Sequence, residues 1–260
     1  WHFDDKVAQK YLLEAIGAPL VPSYVFYDKQ EALDWASTTS YPKVFKLKGG
    51  AGAANVKLVK TQEECNKLIQ RAFGRGFSQF DRLAGLKERI RKFKEGKAGF
   101  IDILKGIGRL FITTEFAKQQ APEKGYVYFQ EFMPNNDSDI RVIIIDGKAF
   151  AVKRLVREND FRASGSGNVV FEPAEIDERC IQIAFEVNKK IGAQSIGFDF
   201  VFDEANEPKL VEFCYGFSVK PYDPCPGYWD VELKWHEGKF NPQEWMIDII
   251  RKNRSEIEVN

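Results

Sequence analysis

The sequence predicts an α+β fold built as two lobes, each with an antiparallel sheet. Three observations predict it. Strand-like and helical runs alternate along the chain, no segment repeats, and a polar link at 132–139 separates two groups of strands. The chain of 260 residues is long enough to bury a core in one large domain or in two lobes. The link is therefore interpreted as a hinge between lobes.

The predicted elements follow in order from the hydrophobic pattern. Helices are expected at about 4–16, 30–37, 62–73, 175–191 and 242–252. Strands are expected at about 24–27, 41–48, 56–59, 125–131, 140–145, 149–154, 196–202 and 210–214. The predicted domains are a first helix in 1–20, an N-terminal lobe in 21–131 with an insertion at about 75–115, a C-terminal lobe in 132–236 and a tail helix in 237–260.

Two carboxylates stand in the last pair of predicted strands. Asp199 lies in the apolar run 196–202, and Glu212 lies in the run 210–214, which a polar turn joins to the first as an antiparallel hairpin. An acid in an apolar strand is destabilising unless it is paired, and two neighbouring acids repel each other unless a cation lies between them. Oxygen ligands of this kind suit Mg²⁺. Two interpretations stay open: a magnesium site, or acids that point to solvent from an edge strand.

A loop of small residues follows a strand that carries lysines. Lys46 and Lys48 lie at the end of 41–48, and the small residues of 49–54 precede the next strand. Such residues let backbone N–H groups approach phosphate oxygens, and a strand lysine adds a fixed charge. No Gly-Lys-Ser/Thr follows, which excludes a P-loop. The loop predicts a hairpin that covers phosphates; the alternative is an ordinary flexible hairpin tip.

Composition and charge exclude several classes of protein. Lys and Arg number 38 and so do Asp and Glu, so bulk charge indicates neither a nucleic acid nor an acidic polymer as partner. No apolar run approaches membrane-spanning length and no signal peptide is visible, so a cytoplasmic location is expected. The four cysteines lack metal-site spacing and are expected to be reduced. The chain begins at Trp1, so we expect further residues upstream.

The order of these parts resembles the ATP-grasp superfamily, which includes D-alanine–D-alanine ligases, glutathione synthetases and the amino-acid ligases that modify ribosomal proteins. The resemblance rests on Asp5-Lys6, Val44-Phe45-Lys46 with its small-residue loop, Gln130-Glu131-Phe132-Met133, Asp139-Ile140-Arg141-Val142, Lys153-Arg154, Phe161-Arg162, Phe198-Asp199 and Val211-Glu212. It runs from Lys6 to about Ser218. It implies an ATP-grasp fold in which the two lobes hold ATP between them, and a preceding N-terminal lobe that this chain lacks.

The resemblance also implies a role for each matching residue. ATP would be held by two phosphate-contacting lysines, Lys6 and Lys46, by Lys48, and by the small-residue loop, the hinge and a ribose-binding acid. The remaining residues are Gly49, Gly50, Ala51, Gly52, Glu131, Phe132, Met133 and Asp139. Mg²⁺ would be bound by Asp199 and Glu212. The basic residues near the transferred phosphate or the substrate carboxylate would be Arg141, Arg154 and Arg162. The implied cofactors are therefore ATP and Mg²⁺.

The implied activity is an ATP-dependent ligation of a carboxylate to an amine through an acyl phosphate. Small-molecule substrates are expected, glycan-linked or peptide-borne, as in surface-polysaccharide or peptide tailoring. Cys214 stands where the family usually has a metal-binding asparagine, and a neutral thiol is a poor ligand for a hard ion. The alternative is accordingly a kinase, or a catalytically impaired nucleotide-binding module. The sequence leaves a homo-oligomer open.

Three further segments carry hypotheses. The insertion at 82–109 is basic and amphipathic, which suits an anionic membrane surface or an acidic glycan. The favoured alternative is a helical pair packed on its own protein with a solvated outer face.

The loop 163–168 is expected either to close over the transferring phosphate or to be a flexible connector. The aromatic, Pro and Gly residues of 215–230 either shape an acceptor pocket or pack against the C-terminal tail.

Overall fold

A computed structural model describes residues 5–49, 55–78, 86, 89, 90, 93, 96, 99–111, 121–156, 161–163 and 167–258. The described residues divide into two compact units. One unit draws on 1–23 and 131–260, and the other on 24–50 and 54–130. We call the first the seven-stranded unit and the second the four-stranded unit, after the sheet that each contains.

The four-stranded unit is built on a sheet with the strand order β1-β4-β2-β3. Its strands are β1 (Ser23–Phe26), β2 (Lys43–Lys46), β3 (Val56–Val59) and β4 (Val127–Glu131). Its helices are α2 (Lys29–Thr38), α3 (Gln62–Ala72) and α4 (Phe100–Phe111). Helices α2 and α3 begin at Asp28 and Thr61, whose side chains accept hydrogen bonds from backbone N–H groups of the first turn. Both helices pack on Phe45 and Phe129, so one core holds the sheet and these two helices together.

The seven-stranded unit contains a mostly meandering antiparallel sheet with the order β11-β10-β6-β5-β8-β9, in which β7 also pairs with β6. Its strands are β5 (Ser138–Ile145), β6 (Lys148–Leu155), β7 (Val169–Val170), β8 (Ser195–Phe202), β9 (Pro208–Cys214), β10 (Gly227–Asp230) and β11 (Trp235–Glu237). Its helices are α1 (Lys6–Ala15), α5 (Glu178–Ile191) and α6 (Pro242–Glu258). Helix α1 begins after Asp5, whose side chain accepts from the N–H groups of Val7 and Ala8.

The two faces of this sheet are used differently because successive strand residues point to opposite sides. Ile140, Val142 and Ile144 of β5 face a core that α1 and α5 cover. Ile143 and Ile145 face the other side, where α6 packs. Asp139 and Arg141 lie on the same face of β5 as Ile143 and Ile145. The face that α6 partly covers is therefore charged at the start of β5 and apolar at its end.

Most predicted elements are confirmed, with their ends shifted by a few residues, and the α+β fold with antiparallel sheets is confirmed as well. Strands β7, β10 and β11 were not predicted, because runs of two to four residues are too short to show a period. The tail helix continues to Glu258 and packs on the sheet through Ile249. Within the described part of the chain, no helix has both the length and the apolar composition needed to cross a bilayer.

Candidate functional site

Strand register brings the predicted acids and arginines of the seven-stranded unit to one sheet face. Arg141 of β5 lies opposite Asp199 of β8, Asp139 of β5 lies opposite Arg154 of β6, and Asp199 lies opposite Glu212 of β9. Directly opposite residues of antiparallel strands project on the same side of a sheet. These five side chains therefore share one face; with Lys6 they are named the charge cluster below.

Two bidentate ion pairs form the centre of the charge cluster. Arg141 donates from Nε to Asp199 Oδ1 at 2.5 Å and from Nη2 to Asp199 Oδ2 at 2.6 Å. Arg154 donates from Nε and Nη2 to the two oxygens of Asp139, both at 2.6 Å. Arg154 Nη2 also lies 3.0 Å from Asp199 Oδ2, which joins the two pairs into one network. Such fork-to-fork pairs fix the arginine planes as well as neutralising the acids.

Burial and the arginine charges act in opposite directions on the acids. Burial acts to raise the pKa of Asp199, but the charges of Arg141 and Arg154 outweigh it and hold that pKa well below its ordinary range. Burial raises the pKa of Asp139 to about 6, against the lowering effect of its hydrogen bonds with Arg154. Asp199 is consequently an anion at every physiological pH, while Asp139 titrates within the range that proteins commonly experience.

Lys6 joins the charge cluster from the start of α1. Its Nζ lies 3.7 Å from Glu212 Oε2, and Lys6 is itself buried. The helix is held against β9 because Gln9 Oε1 accepts a hydrogen bond from the backbone N–H of Phe213 at 3.3 Å. Asp5 at the helix start and Gln9 one turn later therefore fix the place from which Lys6 reaches the sheet face.

Two further residues, Tyr222 and Cys214, interact with Arg141. The sequence left the role of Tyr222 undecided and predicted a neutral thiol at Cys214. Tyr222 shares a hydrogen bond with the Arg141 guanidinium, which opposes the rise that burial gives to the pKa of Tyr222. The Tyr222 ring packs edge-on against Phe150 at a centroid distance of 5.6 Å. Tyr222 is thus a packed residue that also orients Arg141. Burial raises the pKa of Cys214 to about 11, so this thiol is neutral at pH 7.

The donor set of the charge cluster was compared with what Mg²⁺ requires. Mg²⁺ in nucleotide sites is commonly bound by one or two carboxylates, with waters and phosphate oxygens completing the shell. Asp199 and Glu212 supply two carboxylates side by side, although the described residues contain no group of three or more His, Cys, Asp or Glu side chains placed to hold a metal. A carboxylate has about four lone-pair positions, of which Asp199 uses three on arginine N–H groups. The two residues fit one Mg²⁺ that shares its shell with a nucleotide.

The predicted hinge segment is held by a side chain that sequence reasoning did not single out. Asn136 Nδ2 donates to the carbonyl oxygens of Met133 at 3.3 Å and of Phe202 at 2.8 Å. In return, Asn136 Oδ1 accepts from the N–H of Phe202 at 2.8 Å. Asn136 thereby ties the segment after Glu131 to the end of β8. An amide that satisfies backbone groups on two segments has no signature in the sequence.

A second set of contacts holds the start of the small-residue loop in the four-stranded unit. The backbone N–H of Lys48 donates to Glu123 Oε2 at 3.2 Å and to the Tyr126 hydroxyl oxygen at 2.8 Å. The Tyr126 hydroxyl in turn donates to Glu123 Oε2. We name Lys48, Glu123 and Tyr126 the loop anchor. Glu123 and Tyr126 were missed because they lie seventy-five and seventy-eight positions from Lys48 in the chain.

The remaining predicted residues fall outside these two groups. Lys46 is buried at the end of β2, and Gly49 directly follows Lys48 of the loop anchor. Arg162 lies over the ring of Phe161 at 5.9 Å, and that ring meets Phe132 of the hinge segment edge-on at 6.0 Å. Three predicted loop residues lie outside the described residues, namely Gly50, Ala51 and Gly52.

The alternative that one or both acids point to solvent from an edge strand is wrong for Asp199, and the role of Asp139 stays a prediction. Glu212 does lie on the edge strand β9, and its side chain is 33% exposed, so the alternative is not contradicted there. Asp199 is buried and doubly paired, because β8 lies between β5 and β9 rather than at the sheet edge. Asp139 was assigned to the ribose; the structure places its carboxylate on Arg154, and its contact with ribose remains untested.

Sequence comparison identifies relatives for both halves of the chain. The family model described as RimK-like ATP-grasp domain matches residues 106–219, and that described as carbamoyl-phosphate synthase L chain, ATP binding domain, matches residues 5–97. The alpha-aminoadipate–LysW ligase LysX of Saccharolobus solfataricus is 22% identical over 209 residues. That alignment covers 80% of this chain and 60% of the relative, so the chain spans less than two thirds of the relative's length.

Solved structures share the fold at low sequence identity. The biotin carboxylase–β,γ-ATP complex of Campylobacter jejuni matches 84% of this chain and 41% of its own, with a TM-score of 0.52 and 16% identity. The ADP complex of the N5-carboxyaminoimidazole ribonucleotide synthetase purK matches 87% and 48%, with a TM-score of 0.52 and 12% identity. The ATP-grasp ligase PsnB with a precursor variant, Mg and ADP matches 85% and 53%, with a TM-score of 0.50 and 16% identity.

The fold and the matched families define a nucleotide-binding class of α+β protein with two antiparallel sheets. The two family models, the LysX relative and the shared fold together support the ATP-grasp superfamily. Within that superfamily, its residues 106–219 match the RimK-like domain, and this stretch contains most of the charge cluster. The resemblance inferred from the order of motifs is therefore confirmed.

Proposed function

We propose that this chain provides the ATP-binding and catalytic residues of an ATP- and Mg²⁺-dependent ligase that joins a carboxylate to an amine. The observation that carries the proposal is the charge cluster, in which two carboxylates stand side by side with two arginines and a lysine within ion-pair distance. Support comes from relatives of the same superfamily: LysX is named as a ligase, and PsnB was solved with Mg and ADP.

In the proposed reaction the residues of the chain bind, orient and neutralise charge. Lys6 and Lys46 contact phosphate oxygens as point charges, and Asp199 with Glu212 would hold Mg²⁺. When bound, the ion neutralises phosphate oxygens as a Lewis acid. Arg141 and Arg154 each have five N–H donors and use only some of them on the acids, which leaves donors for a substrate carboxylate or the transferring phosphate.

The bond changes balance without a nucleophile from the protein. A substrate carboxylate oxygen attacks the γ-phosphorus of ATP, the bond to the leaving ADP oxygen breaks, and an acyl phosphate forms. The nitrogen of an amine then attacks the carbonyl carbon, phosphate leaves, and the nitrogen loses its proton. Fixed arginines and lysines act on such steps by positioning the reactants and by stabilising the charge that develops.

The substrates are proposed to be a small-molecule acid and an amine, one of which is carried on a peptide or a glycan. The name of the LysX relative gives an amino acid, alpha-aminoadipate, and a second partner, LysW. PsnB was solved with a phosphomimetic variant of a minimal precursor. Attachment to a glycan has less support than attachment to a peptide. It rests on the aromatic segment 215–230, in which Tyr222 and Trp229 are buried by packing.

Hydroxylamine trapping tests the proposed intermediate. The protein is incubated with ATP, MgCl₂ and panels of amino acids and uronic acids, and hydroxylamine replaces the amine. A hydroxamate that forms only with ATP is the expected product, since only an acyl phosphate yields one. Glu212→Gln is expected to reduce hydroxamate formation by about 100-fold or more. Glu204→Gln, in the exposed turn of the same hairpin, is the matched control and retains full activity. Unchanged turnover in Glu212→Gln would refute the assignment of the site.

A second candidate function is a kinase or an impaired nucleotide-binding module, and Cys214 is the observation that favours it. A neutral thiol does not replace an amide oxygen toward Mg²⁺. Titration of Mn²⁺ in the presence of an ATP analogue, followed by electron paramagnetic resonance, counts the bound ions. The ligase proposal expects one tight ion in the native chain; Cys214→Asn then adds a second, and Cys214→Ser does not. A stable phosphate ester as product, or no tight ion at all, would favour the second candidate.

A further inference from the structure

Helix α4 in the four-stranded unit exposes an apolar face. Phe100, Ile101, Leu104 and Ile107 are 60%, 66%, 51% and 42% exposed. At 3.6 residues per turn these four positions fall within an arc of about 120° on one side of the helix. Scattered exposed apolar residues are normal, but a contiguous apolar stripe on a helix indicates a surface that contacts something else.

The other side of α4 is already used. Arg89 Nη1 donates to the carbonyl oxygen of Asp102 at 3.3 Å, and Gly106 is buried so closely that a Cβ there would lie 2.9 Å from Leu86 Cδ1. The ring of Phe100 meets the ring of Phe93 edge-on at 6.2 Å, yet Phe100 stays 60% exposed. The expected helical pair stays a prediction, because much of the stretch before α4 lies outside the described residues. The contacts of Leu86, Arg89 and Phe93 leave the stripe on α4 exposed, and that exposed face is apolar rather than polar.

The segment around α4 is strongly basic although the whole chain is neutral. Residues 82–109 contain nine basic and three acidic side chains, whereas the chain has 38 of each sign. The basic residues are Arg82, Lys87, Arg89, Arg91, Lys92, Lys94, Lys97, Lys105 and Arg109. Lys105 borders the apolar stripe, and its side chain is 63% exposed. An apolar helical stripe bordered by an exposed lysine, in a segment whose sequence is basic, is the pattern of a helix that lies in the plane of a membrane interface.

We propose that α4 binds the surface of an anionic lipid bilayer. The side chains of Phe100, Ile101, Leu104 and Ile107 enter the boundary between headgroups and acyl chains, and the basic residues bind the lipid phosphates. A soluble acidic polymer without apolar groups would satisfy the basic residues but would leave the apolar stripe in water. The lipid surface satisfies both, which is the reason for choosing it.

Co-sedimentation with vesicles tests the proposal on the full chain. The chain is mixed with phosphatidylcholine vesicles that contain or lack phosphatidylglycerol. Binding is expected only with the anionic lipid and is expected to weaken as salt is raised. Ile101→Glu with Leu104→Glu should weaken binding by about tenfold or more, since two carboxylates replace the apolar contact. Amide hydrogen exchange should slow in 100–111 when anionic vesicles are added.

A matched control uses the exposed isoleucines of α6. Ile247 and Ile250 are 50% and 68% exposed on a helix whose acidic and basic residues nearly balance. Ile247→Glu with Ile250→Glu changes the net charge by the same amount and should leave vesicle binding unchanged. Lys105→Gln should weaken binding to anionic vesicles by about fivefold, in line with the loss of one charge near a charged surface.

Three outcomes would overturn the proposal. One is no binding to anionic vesicles at low salt. Another is equal loss of binding in the α4 and α6 double variants, which would indicate only a net-charge effect. The last combines two results with soluble polyglutamate. The polymer binds the chain equally well with and without Ile101→Glu and Leu104→Glu, and it displaces the chain from vesicles. Together these results would identify an acidic macromolecule as the partner.

Discussion

The charge cluster and the loop anchor both contain a buried carboxylate, and each stabilises it in a different way. In the charge cluster, Asp199 is paired with two arginines that strand register brings opposite and beside it. In the loop anchor, Glu123 accepts from a backbone N–H and a tyrosine hydroxyl, and its Oε1 has no hydrogen-bond partner among the described residues. In the charge cluster, loss of either partner leaves a buried charge unpaired, so substitutions there should reduce the stability strongly. In the loop anchor Glu123 accepts from uncharged donors, so substitutions there should reduce the stability less.

Removal of the central acid should produce the largest change in stability. Asp199→Ala leaves Arg141 buried without its acid, while Arg154 keeps Asp139, and one buried unpaired charge typically destabilises a protein by about 3–5 kcal/mol. Urea denaturation followed by circular dichroism measures the loss of unfolding free energy. Glu212→Gln is the control, because Glu212 is one-third exposed and its ion pair with Lys6 spans 3.7 Å. That change should cost less than about 1 kcal/mol. Equal losses of unfolding free energy in the two variants would contradict the expected difference between a buried acid and one that is one-third exposed.

The loop anchor should respond less. Glu123→Ala removes the acceptor for the Lys48 N–H and the Tyr126 hydroxyl, at an expected cost of about 1–3 kcal/mol. The same variant should raise the KM for ATP with little change in kcat if the anchor places the loop over phosphates. Glu123→Gln retains an acceptor oxygen and should recover most of both losses. A loss for Glu123→Ala as large as that for Asp199→Ala would remove the distinction between the two regions.

The pH dependence of stability should distinguish the two aspartates of the charge cluster, Asp139 and Asp199. The raised pKa of Asp139, about 6 in the folded chain, exceeds its ordinary value of about 3.9. The folded state therefore binds more protons than the unfolded chain between these values, and this contribution to stability falls as the pH rises from about 4 to 6. Asp199 behaves oppositely: its contribution is present above pH 4 and is lost only in stronger acid.

Asp139→Asn isolates the first of these contributions, because an amide does not titrate. The difference in unfolding free energy between the native chain and Asp139→Asn should shift by about 2 kcal/mol between pH 4 and 7. Above pH 7 the difference should be constant. A difference that does not change with pH would show that Arg154 holds Asp139 ionised throughout.

The smallest expected effect is on the residue that orients Arg141. Tyr222→Phe removes a hydrogen bond to the guanidinium and keeps the ring against Phe150, so it should cost about 1 kcal/mol in thermal unfolding. Tyr228→Phe is the control. The Tyr228 ring stacks on His236 where β10 pairs with β11, away from Arg141 of β5. If Tyr222→Phe lowers turnover more than tenfold without loss of stability, Tyr222 contacts substrate rather than positioning Arg141.

Much of the fold was predictable because long elements show their period. The β8–β9 hairpin followed from two alternating runs and a polar turn, and α5 followed from its apolar spacing. The Asp177 side chain, which caps the first turn of α5, sets the start of the helix later than the expected position 175. The strand β10 was missed because Trp229 belongs to a run of four residues and is buried through its pairing with β6. Contacts distant along the chain explain the other misses, since Asn136 and Glu123 hold backbone groups that lie sixty-six and seventy-five positions away.

The sequence alone determined which chemistry was available: the acids in apolar strands, the lysines before a small-residue loop, and the order of motifs that resembles the superfamily. Only the tertiary structure decided how these charges are shared, because the register of four strands sets which arginine meets which acid. It also decided that the stripe on α4 faces outward. Periodicity marks an apolar side of a helix, but only packing determines whether another part of the chain covers that side.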